Sequence, residues 1–145
     1  MQLMMQLNGG EVVASNEKES GATDIKVNTE ADIFKGLATS ETVLMSHSDK
    51  VTKLADGFEV IGETELCANA AVKHIEKPFY GLQFHPEAKH TVNGDTVLKN
   101  YIRDICNCTG EWTMENFIDI EVEKIRETVG GKQVLCAVSY THLRA

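Results

Sequence analysis

The stretch of sequence that most constrains the fold is Phe79–Glu87, an aromatic and aliphatic run that ends in His-Pro-Glu. A run without regular polar alternation predicts a buried strand of the kind found in α/β folds. Pro86 cannot donate a hydrogen bond to a neighbouring strand, so we expect the strand to end there. Two titratable side chains, His85 and Glu87, then lie where the strand stops.

The spacing of His85 and Glu87 suits an imidazole that is oriented by a carboxylate and acts as a general base. A plainer interpretation is that both are surface residues on either side of a proline. A zinc site built from His85, Glu87 and His90 is a third. Zinc deaminases share the His-x-Glu pattern but also carry Pro-Cys-x-x-Cys. The spacing of Cys106-Asn107-Cys108 departs from that pattern, so we discount a metal.

Composition narrows the classes of partner. The 145 residues suffice for one ordinary core, and no stretch reaches the roughly 18 apolar residues of a membrane span. A net charge of −8 argues against a nucleic-acid partner. The four cysteines lack the spacing of a zinc site or a disulfide framework, and no secretory signal precedes them. We therefore expect a cytoplasmic protein with reduced thiols and neither a membrane nor a nucleic-acid partner.

The first half of the chain alternates strands and turns. An opening helix ends at Asn8-Gly9-Gly10, and a single helical turn from Asp32 is closed by Gly36. The polar stretch Asn16–Gly21 is expected to be a connection, and Ser46–Asp49 to follow a strand end, where α/β folds place ligand groups. The predicted strands are Val12–Ala14, Asp24–Val27, Thr42–Met45, Phe58–Ile61 and Ala70–Ile75.

The second half is mainly helical. Asn93-Gly94-Asp95 supplies turn and cap chemistry for a helix whose apolar face is Val97, Leu98, Tyr101, Ile102 and Ile105. After a polar break, Thr113 is expected to cap a second helix that ends at Gly130-Gly131, and Val134–Val138 to form a strand. We place a domain boundary near Thr109 or Gly110.

Together these stretches resemble the glutamine amidotransferase half of the GMP synthases, ligases that hydrolyse glutamine and convert xanthosine monophosphate (XMP) to GMP. His-Pro-Glu after an aromatic strand indicates only a class I amidotransferase. The Ser-His-x-Asp stretch and the junction from Cys-x-Cys to Trp-Thr narrow the resemblance to the GMP synthases. The matching residues are Met1-Gln2-Leu3, Gly9–Val12, Met45–Val51, Gly57-Phe58, Tyr80–Glu87, His90-Thr91, Gly94, Ile105–Cys108, Trp112-Thr113 and Asn116–Ile118.

The resemblance implies two domains. Residues 1–109 would be the C-terminal portion of a class I amidotransferase domain with an α/β, flavodoxin-like fold, in which helices flank a mixed sheet. Residues 110–139 would begin an ATP-pyrophosphatase domain with its first helix and strand. Residues 140–145 depart from the family, because Tyr140 onward replaces a glycine-rich loop whose N–H groups cradle pyrophosphate. We interpret them as a foreign tail and assign no ATP site to this chain.

The same resemblance assigns roles. His85 would be the general base and Glu87 the carboxylate that orients it. Glutamine would be held by Gln2, Ser46, Ser48 and Asp49. Taken singly, Gln2 could equally be a solvated helix residue and Ser46 a strand-end cap. The family's nucleophile is a cysteine in a Gly-x-Cys-x-Gly-Met-Gln elbow that would precede Met1, so the chain by itself is expected to be an inactive fragment.

The implied partners belong mostly to the intact enzyme. Glutamine is the substrate of this segment, for which we predict no cofactor or metal. XMP and ATP with Mg would bind the missing synthetase domain, and the parent is expected to be a homodimer. Two alternatives stay open, namely another class I amidotransferase serving anthranilate or carbamoyl phosphate synthesis, and a non-catalytic binding or regulatory protein of the same fold.

Overall fold

The computed structural model describes residues 1–135, with the backbone alone for residues 15–17. The chain divides into two compact units, and the first runs from Met1 to Cys108 while the second begins at Thr109. In the described part, no helix combines the length and apolar character needed to cross a membrane. The residues from Cys136 on, which include most of the strand expected at Val134–Val138 and the atypical tail, lie outside the described residues.

A five-stranded sheet in the order β2-β1-β3-β4-β5 forms the centre of the first unit. Every pairing between these strands is antiparallel, whereas the sequence led us to expect a mixed sheet. Helices precede and follow the sheet in this unit, as expected for a fold that combines helices with a sheet. The strands are β1 (Glu11–Val27), β2 (Ser40–Lys53), β3 (Phe58–Glu63), β4 (Ala71–His74) and β5 (Tyr80–Leu82).

Strand β1 is longer than predicted. The polar stretch Asn16–Gly21 is not a connection but part of the strand, because β1 pairs with β2 on both sides of an irregularity between Ala14 and Glu19. Ser46–Asp49 is likewise inside β2 and not beyond a strand end. Polar residues with the local composition of loops are held in strands here by the opposite strand.

The Phe79–Glu87 stretch forms a shorter strand than predicted. Strand β5 ends at Leu82, and Phe79 before it is 45% exposed. Gln83 N–H still donates to Ala70 C=O at 2.8 Å, next to β4, but His85 N–H donates to Leu44 C=O in β2 at 3.1 Å. The chain changes its hydrogen-bonding partner between these residues, which ends the regular ladder before Pro86.

Helix α1 (Gln2–Leu7) packs on the sheet through Met5, which is fully buried. It ends before Gly9, whose φ of +90° is accessible to glycine, as the sequence predicted. A Cβ on Gly81 would lie 2.8 Å from Met1 Cγ, so glycine in β5 is what lets this helix approach the strand. The helical turn predicted after Asp32 is also present, as a 3₁₀ helix.

Helix α2 (Gly94–Lys99) continues into a π-helical turn at Asn100–Ile105. A π-helical turn holds more residues than an α-helical turn, so the side chains after Lys99 point in other directions than a regular helical spacing predicts. Asn100 is therefore buried, with its amide donating to Ile33 C=O at 3.1 Å, while Ile102 is 46% exposed. Val97 is buried as predicted.

The largest core cluster lies between the sheet and the helical segments of the first unit. Phe34 and Phe84 stack in it with ring centroids 6.5 Å apart. Phe84 places the end of the Phe79–Glu87 stretch in the core, and this anchors the residues that follow it. Other members of the cluster are Ile25, Val43, Met45, Ile61 and Val97.

In the second unit, α3 (Met114–Val129) has the boundaries that its capping residues predict. The Thr113 side chain accepts a hydrogen bond from Asn116 N–H at 3.1 Å, and Gly130 ends the helix with a φ of +54°. Val134 and Leu135 have no regular structure. That this unit begins an ATP-pyrophosphatase domain stays a prediction.

Candidate active site

The His85 and Glu87 side chains form a pair on the turn that follows the buried Phe84. His85 Nδ1 lies 2.9 Å from Glu87 Oε1, and the two side chains are 44% and 66% exposed. A backbone hydrogen bond and the His85 side chain hold the pKa of the Glu87 carboxyl below its usual value. Glu87 is therefore an ionised acceptor at neutral pH, and His85 Nε2 is left available for proton transfer.

Thr91 ties this turn to β2. Its hydroxyl donates to His85 C=O at 2.6 Å and accepts from Leu44 N–H at 3.0 Å. Together with the bond from His85 N–H to Leu44 C=O, these contacts use both backbone groups of Leu44 and both of His85. The backbone of His85 is thus fixed beside the strand that continues, two residues later, into Ser46. The sequence marked Thr91 as part of a motif but gave it no role.

Gly94 lets the start of α2 press against the same turn. A Cβ at this position would overlap the Pro86 carbonyl oxygen and lie 2.9 Å from the carbonyl carbon. Asn93, in the N-cap position, makes no capping hydrogen bond. Its amide instead donates to the buried Glu41 carboxylate at 2.7 Å, which anchors the connection between Thr91 and the helix.

Gln2 brings a third segment to the site. Its Nε2 donates to Gln83 Oε1 at 3.0 Å and to the backbone carbonyl of Asp49 at 3.3 Å. The opening helix, the residue two before His85 and the predicted glutamine-holding segment therefore meet at one place. Gln83 was missed by sequence reasoning, although a single polar residue inside an apolar run was a signal that could have singled it out.

The remaining predicted binding residues, Ser46 and Ser48, lie in β2. Ser46 is exposed and pairs with Ser20, whereas Ser48 faces the irregularity in β1 and is half-buried. The backbone at Asp49 already contacts Gln2. Binding of glutamine by Gln2, Ser46, Ser48 and Asp49 stays a prediction, but the structure places these residues in adjoining positions.

None of the cysteines within residues 1–135 is hydrogen-bonded to His85. Cys67 is buried. Its burial, and to a smaller extent the nearby Glu19 carboxylate, raises the pKa of the Cys67 thiol. A raised pKa disfavours the thiolate that a nucleophile needs. Cys106 and Cys108 are free and exposed. The family's nucleophile therefore has no evident substitute in the described part of the chain.

The described residues contain one group with the composition of a metal site, formed by Glu19, His47 and Cys67, whose ligand atoms lie within 4.8 Å of one another. It does not include His85, Glu87 or His90, the residues weighed for zinc from the sequence. Both Glu19 oxygens already have hydrogen-bonding partners, His47 and Thr64, so a hydrogen-bond network explains the group without an ion.

We expect Thr91→Val to destabilise the first unit by about 1–3 kcal/mol, because a valine of similar shape leaves the Leu44 N–H and the His85 carbonyl without their partner. Thr91→Ser keeps the hydroxyl and should cost about 1 kcal/mol at most. Urea unfolding of both variants measures the difference. A valine variant as stable as the serine variant would show that the hydroxyl is not what holds the turn.

Comparisons with known proteins agree with this geometry. The sequence profile of the family described as glutamine amidotransferase class-I matches residues 1–105, which include every residue of the site. The chain belongs to the class-I glutamine amidotransferases. Within this family it is similar to the GMP synthases [glutamine-hydrolyzing] of Macrococcus caseolyticus, at 53% identity over 139 residues, and of Bacillus subtilis, at 47% over 139 residues.

These two relatives are much longer than the chain. The matched region is 96% of this chain but only 27% of each relative, so the chain spans about a quarter of their length. Among solved structures, this amidotransferase resembles a Thermoplasma acidophilum protein assigned as one subunit of a GMP synthase, with a TM-score of 0.69 and 30% identity over 83% of this chain and 56% of that one. A glutamine amidotransferase from Methylobacillus flagellatus, at 22% identity and a TM-score of 0.52, shares the fold.

Proposed function

We propose that this chain is the part of a glutamine-hydrolysing GMP synthase that supplies the general base and most of the glutamine-binding surface. One observation carries the proposal. The His85–Glu87 pair lies on a turn bonded to β2, and Gln2 bonds both Gln83, beside that turn, and Asp49, in the same strand. An oriented imidazole next to a polar segment suited to the amino-acid end of glutamine supports a role in amide hydrolysis, for which the nucleophile would come from elsewhere.

The chemistry begins outside this chain, with a cysteine thiolate from the upstream elbow attacking the carboxamide carbon of glutamine. His85 takes the proton of that cysteine thiol and gives it to the departing nitrogen, so the C–N bond breaks as ammonia leaves and a glutamyl thioester remains. His85 then takes a proton from water, which cleaves the thioester to glutamate and returns the thiol. Glu87 keeps the imidazole in the orientation that exposes Nε2 throughout.

The ammonia would be used by the remainder of the longer protein. There XMP activated by ATP, with Mg, would accept it to give GMP, in a cytoplasmic homodimer as the resemblance implies. Support for GMP synthase over an amidotransferase for anthranilate or carbamoyl phosphate synthesis comes from the 53% and 47% identities, which extend past residue 105 into the second unit.

The test is a replacement enzyme. The 139 residues of this chain that match the Macrococcus caseolyticus GMP synthase replace the corresponding residues of that enzyme, and the rest of that enzyme is left unchanged. We expect glutamine-dependent formation of GMP from XMP and ATP. A replacement enzyme that folds and uses added ammonia, yet never uses glutamine, would instead favour a non-catalytic role for this chain.

The 145-residue chain alone is expected to release no measurable ammonia from glutamine, because it provides the base without a thiolate in contact with it. Loss of a nucleophile from such a unit costs roughly four to six orders of magnitude in rate. A coupled assay for ammonia on the purified chain measures this directly. Ammonia release that disappears in His85→Ala would contradict the expectation and point to a nucleophile within the chain.

A further inference from the structure

A buried polar network lies behind the segment proposed to hold glutamine. The Glu19 carboxylate accepts a hydrogen bond from the Thr64 hydroxyl at 2.7 Å and lies 3.0 Å from His47 Nε2. The Thr64 hydroxyl in turn accepts from the Cys67 backbone N–H at 3.0 Å. The network therefore joins three parts of the chain, namely β1, β2 and the connection between β3 and β4.

The side chains of this network are almost completely removed from water. Those of Glu19 and His47 are 5% and 7% exposed. Among the described residues, His47 Nδ1 has no hydrogen-bonding partner. A buried polar atom without a partner costs stability and requires a reason.

The network coincides with the main irregularity of the sheet. Glu19 pairs with His47 and Ala14 pairs with Asp49, so β1 has four residues where β2 has Ser48 alone. An irregularity of this kind interrupts the backbone hydrogen bonds between β1 and β2, so backbone pairing restrains β2 less at this point. Ser48 has no residue opposite it in this pairing. It lies between His47 and Asp49, inside the segment Ser46–Asp49 that is predicted to hold glutamine. A side-chain tether is therefore placed where backbone pairing is weakest.

We propose that Glu19 and His47 are positioning residues that fix Ser46–Asp49 for the amino-acid end of glutamine. This inference rests on the proposed function. Because side chains alternate along a strand, Ser46 and Ser48 face away from His47. His47 is thus anchored on the buried side while its neighbours remain available on the other. The anchor also fixes the Asp49 carbonyl, which accepts the hydrogen bond from Gln2 at 3.3 Å.

Amide hydrogen exchange of the 145-residue chain tests the tether without any need for catalysis. In His47→Ala and Glu19→Ala we expect exchange at residues 46–49 to accelerate about tenfold, since loss of one charge-assisted hydrogen bond corresponds to roughly that factor. Exchange at the buried Val72 in β4 should be unchanged, and Glu30→Ala, at an exposed position, is the matched control. His47→Gln, whose amide can reach Glu19, should restore protection. Uniform acceleration along the whole chain would overturn the proposal.

The replacement enzyme tests the consequence for the substrate. His47→Ala should raise the KM for glutamine about tenfold while kcat changes less than about twofold, because the reacting groups His85 and Glu87 are elsewhere. His47→Gln should return the KM toward that of the unsubstituted enzyme. Locally faster exchange with an unchanged KM would overturn the positioning role. A replacement enzyme without any glutaminase activity would count against the proposed function, and the exchange measurement would still decide whether the tether exists.

Discussion

Gly94→Ala is expected to destabilise the first unit by roughly 3 kcal/mol, at the upper end of what an added methylene costs in a packed site. The reason is steric, since the new Cβ would overlap the Pro86 carbonyl oxygen and lie 2.9 Å from its carbon, and backbone atoms cannot rotate out of the way. Relief requires either the start of α2 or the His85–Glu87 turn to move.

Urea unfolding measures the stability, and Gly131→Ala is the matched control, because a Cβ there meets no atom within 4 Å. The control should stay within about 0.5 kcal/mol of the unsubstituted chain. The same clash should be visible at the site as a change in the NMR signals of the His85 ring, which adjoins Pro86. A Gly94→Ala chain of unchanged stability would mean that α2 does not press on the turn as the structure shows.

His85→Ala in the replacement enzyme is expected to lower the glutamine-dependent rate by about 10⁴-fold to 10⁶-fold, as in other enzymes that lose the base of a nucleophile–base pair. Ammonia supplied directly does not need the base, so ammonia-dependent GMP formation should stay within about twofold. The ratio of the two rates in one preparation separates chemistry from misfolding.

Glu87→Gln is the companion variant. It keeps the size of the side chain but removes the negative charge that faces His85 Nδ1. We expect a smaller loss than for His85→Ala, because the pair is exposed and water can partly replace the carboxylate. Equal glutamine-dependent and ammonia-dependent losses in His85→Ala would contradict a role for His85 in amide hydrolysis.

Local signals in the sequence were reliable where one residue and its immediate neighbours decide the geometry. Thr113 caps α3, Gly130 ends it, and Gly9 follows α1 in a left-handed conformation, all as predicted. The His85–Glu87 contact is also local, because the two residues are separated only by Pro86. Each of these depends on backbone conformations that side chains set over three or four residues.

Predictions failed where a distant strand decides. Asn16–Gly21 has the polar composition of a connection, yet β2 holds it in a strand. The Phe79–Glu87 run has the composition of one long strand, yet its hydrogen bonds pass from Ala70 to Leu44 and the ladder stops at Leu82. The apolar face of the helix after Gly94 was predicted from a regular helical spacing. The π-helical turn interrupts that spacing, and Asn100 is buried as a result.

The sequence by itself indicated the amidotransferase family and the contact between His85 and Glu87, because these two residues need only the chain between them to meet. Only the tertiary structure decided the contacts between distant segments: Thr91 between His85 and Leu44, Gln2 between Gln83 and Asp49, and Glu19 against His47. Gln2 and Gln83 lie 81 residues apart in the chain. Contacts of that range depend on strand order, register and helix docking, which follow from the burial of the whole core and not from any local pattern.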